Sequence, residues 1–119
     1  MKFVHMADLH FDTPLISLKN NRELIKKRRT EHRQVFRDVI QYIKKENIDF
    51  LFISGDMFEQ KFVEKSTIEF IISSFQLIPN TKIFISPGNH DPLIKTSPYK
   101  TYDWPENVTI FNGEVGMFS

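Results

Sequence analysis

Three short apolar runs constrain the fold of this chain more than any other feature: MKFVHMA at 1–7, DFLFIS at 49–54 and KIFIS at 82–86. Each is too short for a helix and is closed by Asp, Gly or Pro-Gly, the form strands take when both faces are covered. Between the first two lies a long helical pattern. His32, Val35, Phe36, Val39, Ile40 and Ile43 fall there at spacings of three and four, and Lys44 and Lys45 sit near its end, where cations suit the helix dipole. Between the second and third, Ser66-Thr67-Ile68-Glu69 has the form of a capping box, and Ile68, Ile71, Ile72 and Phe75 share a face before Pro79-Asn80 ends the helix. The order strand, helix, strand, helix, strand implies an α/β fold with a mainly parallel sheet, because right-handed crossovers make such strands neighbours and lay the helices on the sheet. A further strand is expected at 108–111 and another at the extreme C-terminus.

The 119 residues amount to about one domain. Sixteen Lys and Arg against fifteen Asp and Glu give a net charge of +1, so no global field points to nucleic acid, membrane or acidic substrate. The absence of cysteine removes disulfides, thiolate nucleophiles and thiolate metal sites, leaving His, Asp, Glu and Asn as the available ligands. No run approaches the roughly twenty apolar residues of a membrane span, and the N-terminus is interrupted by charge too early for a signal peptide. The expectation is a soluble, cytoplasmic protein with no membrane contact.

The polar residues collect where these strands end. Asp8 and His10 follow the first, Gly55-Asp56 the second, and Gly88-Asn89-His90-Asp91 the third. Open α/β sheets place their ligands beyond the carboxyl ends of the strands. Carboxylate, imidazole and amide oxygen arriving there from separate loops make a site for hard to borderline metal ions. A lone Asp-x-His or Gly-Asp is more often a turn or a cap; three such groups, each at a strand end, are strong evidence for a metal site. A carboxylate shared between two ions roughly 3.5 to 4 Å apart is the arrangement that clamps a phosphoryl group, and Asp56 is the candidate bridge.

D-x-H, G-D and G-N-H-D in this order resemble the calcineurin-like metallophosphoesterases. "ADLHFDTPL", "IDFLFISGDMFE" and "PGNHDP", followed by "SPY" and "WPENVTIF", are similar to bacterial DNA-repair exonucleases of the SbcD and YhaO type through nearly the whole chain. The resemblance implies half of an αββα sandwich, with residues 1–119 the N-terminal part of the nuclease domain and its C-terminal half absent. It implies two divalent ions, manganese being expected, with Asp8 and His10 on the first, Asp56 bridging and Asn89 on the second. His90 then faces the substrate to stabilise or protonate the departing oxygen, and Asp91 orients its imidazole. The implied reaction is hydrolysis of the DNA backbone by metal-activated water. The family draws further histidines from downstream motifs, whereas this sequence has only His5, His10, His32 and His90, so the 119 residues alone are expected to be nearly inactive. Glu59 stands where some such nucleases have a second substrate-facing histidine.

Other readings stand beside this one. The same motifs serve nucleotide and phosphoprotein phosphoesterases. The chain could also act as an assembly module, since relatives work with a coiled-coil ATPase and an unfinished sheet edge invites self-association. His5, inside the first strand, reads as a packed, hydrogen-bonded imidazole, and His32 as a helix-packing residue. The basic stretch Arg22, Lys26, Lys27, Arg28, Arg29, Arg33 and Arg37 could touch DNA phosphates through counterion release but reads first as a solvated helix face. Glu23 and Glu31 weaken its field, and no aromatic residues interleave to stack bases. Asp12 and Thr13 read as turn residues beside Pro14. Phe3, Phe50, Phe52, Phe70, Phe75 and Phe84 read as core. Tyr99, Tyr102 and Trp104 are assigned either to a substrate entrance or to packing beneath their loop.

Overall fold

The computed structural model describes residues 1–7, 9, 11, 22–55, 57–58, 63–88 and 96–111. Strand β1 (Phe3–Ala7) leads through α1 (Arg22–Glu46) to β2 (Phe50–Ser54), then through α2 (Lys65–Gln76) to β3 (Lys82–Ser86), and a short α3 (Pro98–Thr101) precedes β4 (Val108–Ile110). The four strands form one sheet in the order β1-β2-β3-β4, every pair parallel. The α/β class and parallel sheet expected from the sequence are the ones observed, as is the strand at 108–111, which ends at Ile110. The expected C-terminal strand, like Asp12, Thr13 and Glu59, lies outside the described residues.

One face of the sheet carries the core. Leu51, Ile53, Ile83 and Ile85 are buried against Phe36, Ile40 and Ile43 of α1 and Ile68, Ile71 and Phe75 of α2, and Val4, Met6, Val108 and Ile110 extend this layer to the outer strands. The alternate residues point the other way, where the aromatic ones pack on one another. Phe3 is 61% and Phe52 37% exposed. Phe50, Phe52, Phe84 and Phe111 form stacked pairs with centroids 5.4 to 6.2 Å apart, and Phe3 meets Phe52 edge-on at 5.9 Å. The expectation of strands covered on both faces, with Phe3, Phe50, Phe52 and Phe84 in the core, is therefore corrected. A continuous apolar run leaves the pleat to decide which residues meet the helices, and these four occupy the face turned away from them. Phe75 is core and Phe70 is packed against it.

Several local expectations are also corrected. Position 64 rather than Ser66 caps α2: Glu64 has extended backbone and makes no side-chain cap bond. His32 and Val35 are exposed: Val35 lies off the inward stripe of Phe36, Val39, Ile40 and Ile43, and His32 falls where α1 runs past the sheet. His5 lies exposed on the open face, its Nε2 2.6 Å from Ser54 Oγ, so it is hydrogen-bonded but not packed.

The C-terminus of α1 closes on Asn47 at φ 50°, with the Ile48 N–H donating to Ile43 C=O at 3.1 Å, the six-to-one bond of a Schellman cap. At the same end of the sheet, Thr81 Oγ1 donates to Ile48 C=O, and Asn107 Nδ2 donates to Ile78 and Thr81 C=O. These bonds tie the amino edge together and leave the carboxyl edge to the loops.

Candidate metal site at the carboxyl edge of the sheet

The three strands that precede the polar motifs end level with one another: Ala7 pairs with Ser54, and Ser54 with Ser86. Beyond that line the chains stay side by side. The Gly55 N–H donates to Ser86 C=O at 2.7 Å, the Phe11 N–H donates to Met57 C=O at 2.9 Å, and Phe11 and Phe58 form a further parallel bridge. Two loops are thus laced together past the sheet rather than left to diverge.

Apolar anchors hold them there. Phe11 is 3% exposed, and Met57 and Phe58 are fully buried. Phe11 meets Phe36 at 5.5 Å, and Phe58 meets Tyr99 at 5.0 Å. In the sequence these anchors interleave with the polar candidates: Leu9 and Phe11 alternate with Asp8 and His10, while Gly55 and Met57 flank Asp56. Gly55 has φ +68°, a conformation open to glycine at no steric cost, and a Cβ placed on it would lie 3.9 Å from the Gly88 Cα. The second and third loops therefore approach backbone to backbone where Asp56 and Asn89 follow in the chain.

Asp8, His10, Asp56, Asn89, His90 and Asp91 themselves lie outside the described residues. Among the described residues no three His, Asp or Glu side chains come together to hold a metal ion. The fit of a metal to this edge rests on the oxygen and nitrogen donor set of Asp8, His10, Asp56 and Asn89 and on the close approach of the Gly55 and Gly88 backbones beside two of them.

The anchoring roles of Phe11, Met57 and Phe58 are not assigned by the sequence reading, although their interleaving with polar motif residues is the signal that marks them. The alternatives for Tyr99 and Trp104 are decided in favour of packing. Tyr99 is 5% exposed, Trp104 lies 5.7 Å from it and 6.1 Å from Phe75, and Trp104 Nε1 donates to Pro98 C=O. Tyr102 is half-buried against the same core. No described helix is long and apolar enough to cross a membrane.

The family model for the calcineurin-like phosphoesterases matches residues 1–117. A metallophosphoesterase of Bacillus subtilis (strain 168), YhaO, itself described as uncharacterized, is 30% identical over 118 residues, covering 97% of this chain and 28% of that protein. The chain thus spans little more than a quarter of the relative's length. A level set of parallel strands with laced, glycine-turned loops after them, matched along 1–117, makes this chain a member of the calcineurin-like phosphoesterase family.

Proposed function

We propose that this chain supplies the N-terminal half of a two-metal phosphodiesterase that hydrolyses the DNA backbone in the manner of a repair exonuclease. The observation that carries the reading is the laced carboxyl edge, where Gly55 bonds Ser86 and Phe11 bonds Met57 beside all three polar motifs. Asp8 and His10 would hold one divalent ion, Asn89 the other, and Asp56 both; manganese is the ion the family resemblance implies. Bound there, the ions supply Lewis-acid polarisation of a phosphoryl oxygen and acidify the attacking water. The remaining steps belong to the protein. His90 donates a hydrogen bond or a proton to the leaving oxygen, Asp91 holds its imidazole in the donating tautomer, and Gly55 and Gly88 let the backbone turn tightly beside the ligands.

In the same reading the protein is cytoplasmic and its longer form works beside a coiled-coil ATPase. The sequence holds no histidine after His90, so the 119 residues alone are expected to turn over poorly.

Calorimetric titration of manganese into the chain and into Asp56→Ala tests the ligand assignment. Binding that is lost in the variant supports it, and identical isotherms for the two proteins refute it. Comparing duplex DNA, cyclic nucleotides and a phosphoprotein as substrates of the longer polypeptide separates the nuclease reading from the other phosphoesterase activities. The open phenylalanine face, with Phe3 and Phe52 exposed, favours self-association as a second property of the isolated chain.

A further inference from the structure

Helix α1 is much longer than the strands it connects. Its 25 residues span about 37 Å, whereas a five-residue strand spans about 16 Å. Because β1 and β2 are parallel, α1 must carry the chain back from the carboxyl edge to the amino edge, so its N-terminus lies on the side of the metal motifs. Its buried residues, Phe36, Ile40 and Ile43, all fall in the C-terminal half. Residues 22 to 33 therefore project beyond the sheet at the candidate active edge.

The spacing of the buried stripe continues into this projection with changed chemistry. Going back from Ile43 through Ile40 and Phe36 in steps of three and four, the next positions are Arg33, Arg29, Lys26 and Arg22. The face that is apolar over the sheet becomes cationic once past it. A basic stretch kept only for solubility would load the outward face; here four cations occupy the inward one. Between residues 22 and 37 the sequence holds seven Lys and Arg against two Glu, although the whole chain is nearly neutral.

These side chains line a groove of about 410 Å³ between α1 and the start of α2, with Thr30, Glu64 and Ser66 on its walls. Arg33 Nη2 donates to Thr67 Oγ1 at 2.7 Å, and Arg29 pairs with Glu64 at 3.3 Å, fixing the two helix ends together. The Arg29 Nε–H is buried with no acceptor among the described residues. Among the described residues that line the groove, four are cationic and one, Glu64, is a carboxylate.

We propose that this groove is a track for the phosphodiester backbone of DNA, engaging phosphates away from the cleavage point and orienting the strand toward the carboxyl edge. The proposal rests on the reading of that edge as a phosphodiester-cleaving site and names how its polymeric substrate is held. A membrane surface fits less well, because the apolar residues of the projection, Leu24 and Ile25, are half-buried and leave it no exposed large apolar side chain.

The test is fluorescence anisotropy of a labelled 20-base-pair duplex with the 119-residue chain, in EDTA so that neither metal binding nor cleavage enters, across 25 to 200 mM salt. Arg22→Gln/Lys26→Gln is compared with Lys44→Gln/Lys45→Gln, which removes the same charge at the opposite end of α1. Since each phosphate contact contributes about 0.9 to the slope of log K against log salt, the groove variant should lose nearly two units of slope and roughly ten- to a hundredfold in affinity at low salt. The control variant should keep most of both. Equal losses in the two variants, or no DNA binding by the wild type, overturn the track. So does groove-dependent binding to phosphatidylglycerol vesicles without groove-dependent binding to DNA. The substituted side chains are exposed, and unchanged far-ultraviolet circular dichroism verifies folding. The track and the metal site can fail separately, because these isotherms contain no metal and the manganese titration contains no DNA.

Discussion

Replacing Gly55 by alanine should destabilise the fold by about 1 kcal/mol, and the cost can be assigned to the backbone alone. Gly55 sits at φ +68°, and among the described residues a Cβ built there meets the Gly88 Cα at 3.9 Å, an ordinary contact. No described neighbour has to move. What remains is the penalty of a left-handed conformation for an L-residue, about 1–2 kcal/mol, partly offset because alanine loses less conformational freedom on folding, worth about 0.4–1 kcal/mol. In a chain of this size the net change lowers the melting temperature by about 3–6 °C. Asparagine tolerates the left-handed region and should cost less than alanine; valine, branched at Cβ, should cost more. Urea unfolding followed by circular dichroism measures the series, and a shifted midpoint at constant m-value marks a change in native stability. The order glycine, asparagine, alanine, valine is expected. Alanine as stable as glycine, or more stable than asparagine, would refute the backbone argument. Manganese affinity should fall in the same order, since a relaxed φ at Gly55 would disturb its 2.7 Å bond to Ser86 immediately before Asp56.

Ile83→Ala, in the fully buried middle of the sheet, should cost about 2–5 kcal/mol in the same urea experiment, enough to unfold much of a marginally stable chain. Phe52→Thr, on the aromatic face, should cost about 1–2 kcal/mol through its lost ring contacts, less than Ile83→Ala, and weaken the concentration dependence of sedimentation; association undiminished by the substitution would locate it elsewhere. Asn47→Gly should be neutral or slightly stabilising and Asn47→Val destabilising by about 1 kcal/mol or more, because the α1 cap needs φ 50°; thermal melts that rank valine with glycine would contradict that role.

The alternation of apolar runs with helical patterns was sufficient, by itself, to determine the order of elements and the parallel sheet, because short connections and crossover handedness leave few other ways to join such elements. The sequence proposed Asp8, His10, Asp56, Asn89, His90 and Asp91 as a group for the same reason: each follows a run that ends at one edge. The sequence could not say which face of the sheet is covered. A run such as FLFI is apolar at every position, and only the packing of α1 and α2 onto Leu51, Ile53, Ile83 and Ile85 left Phe52 and Phe84 facing away. Nor could periodicity tell that the stripe of α1 runs past the sheet, since the length of a helix and the reach of its partner strands are set by elements distant in the chain. Tertiary structure decided that Arg22, Lys26, Arg29 and Arg33 line a groove at the candidate active edge, because the meaning of a charge depends on what stands opposite it, and that is fixed only when α2 folds against α1.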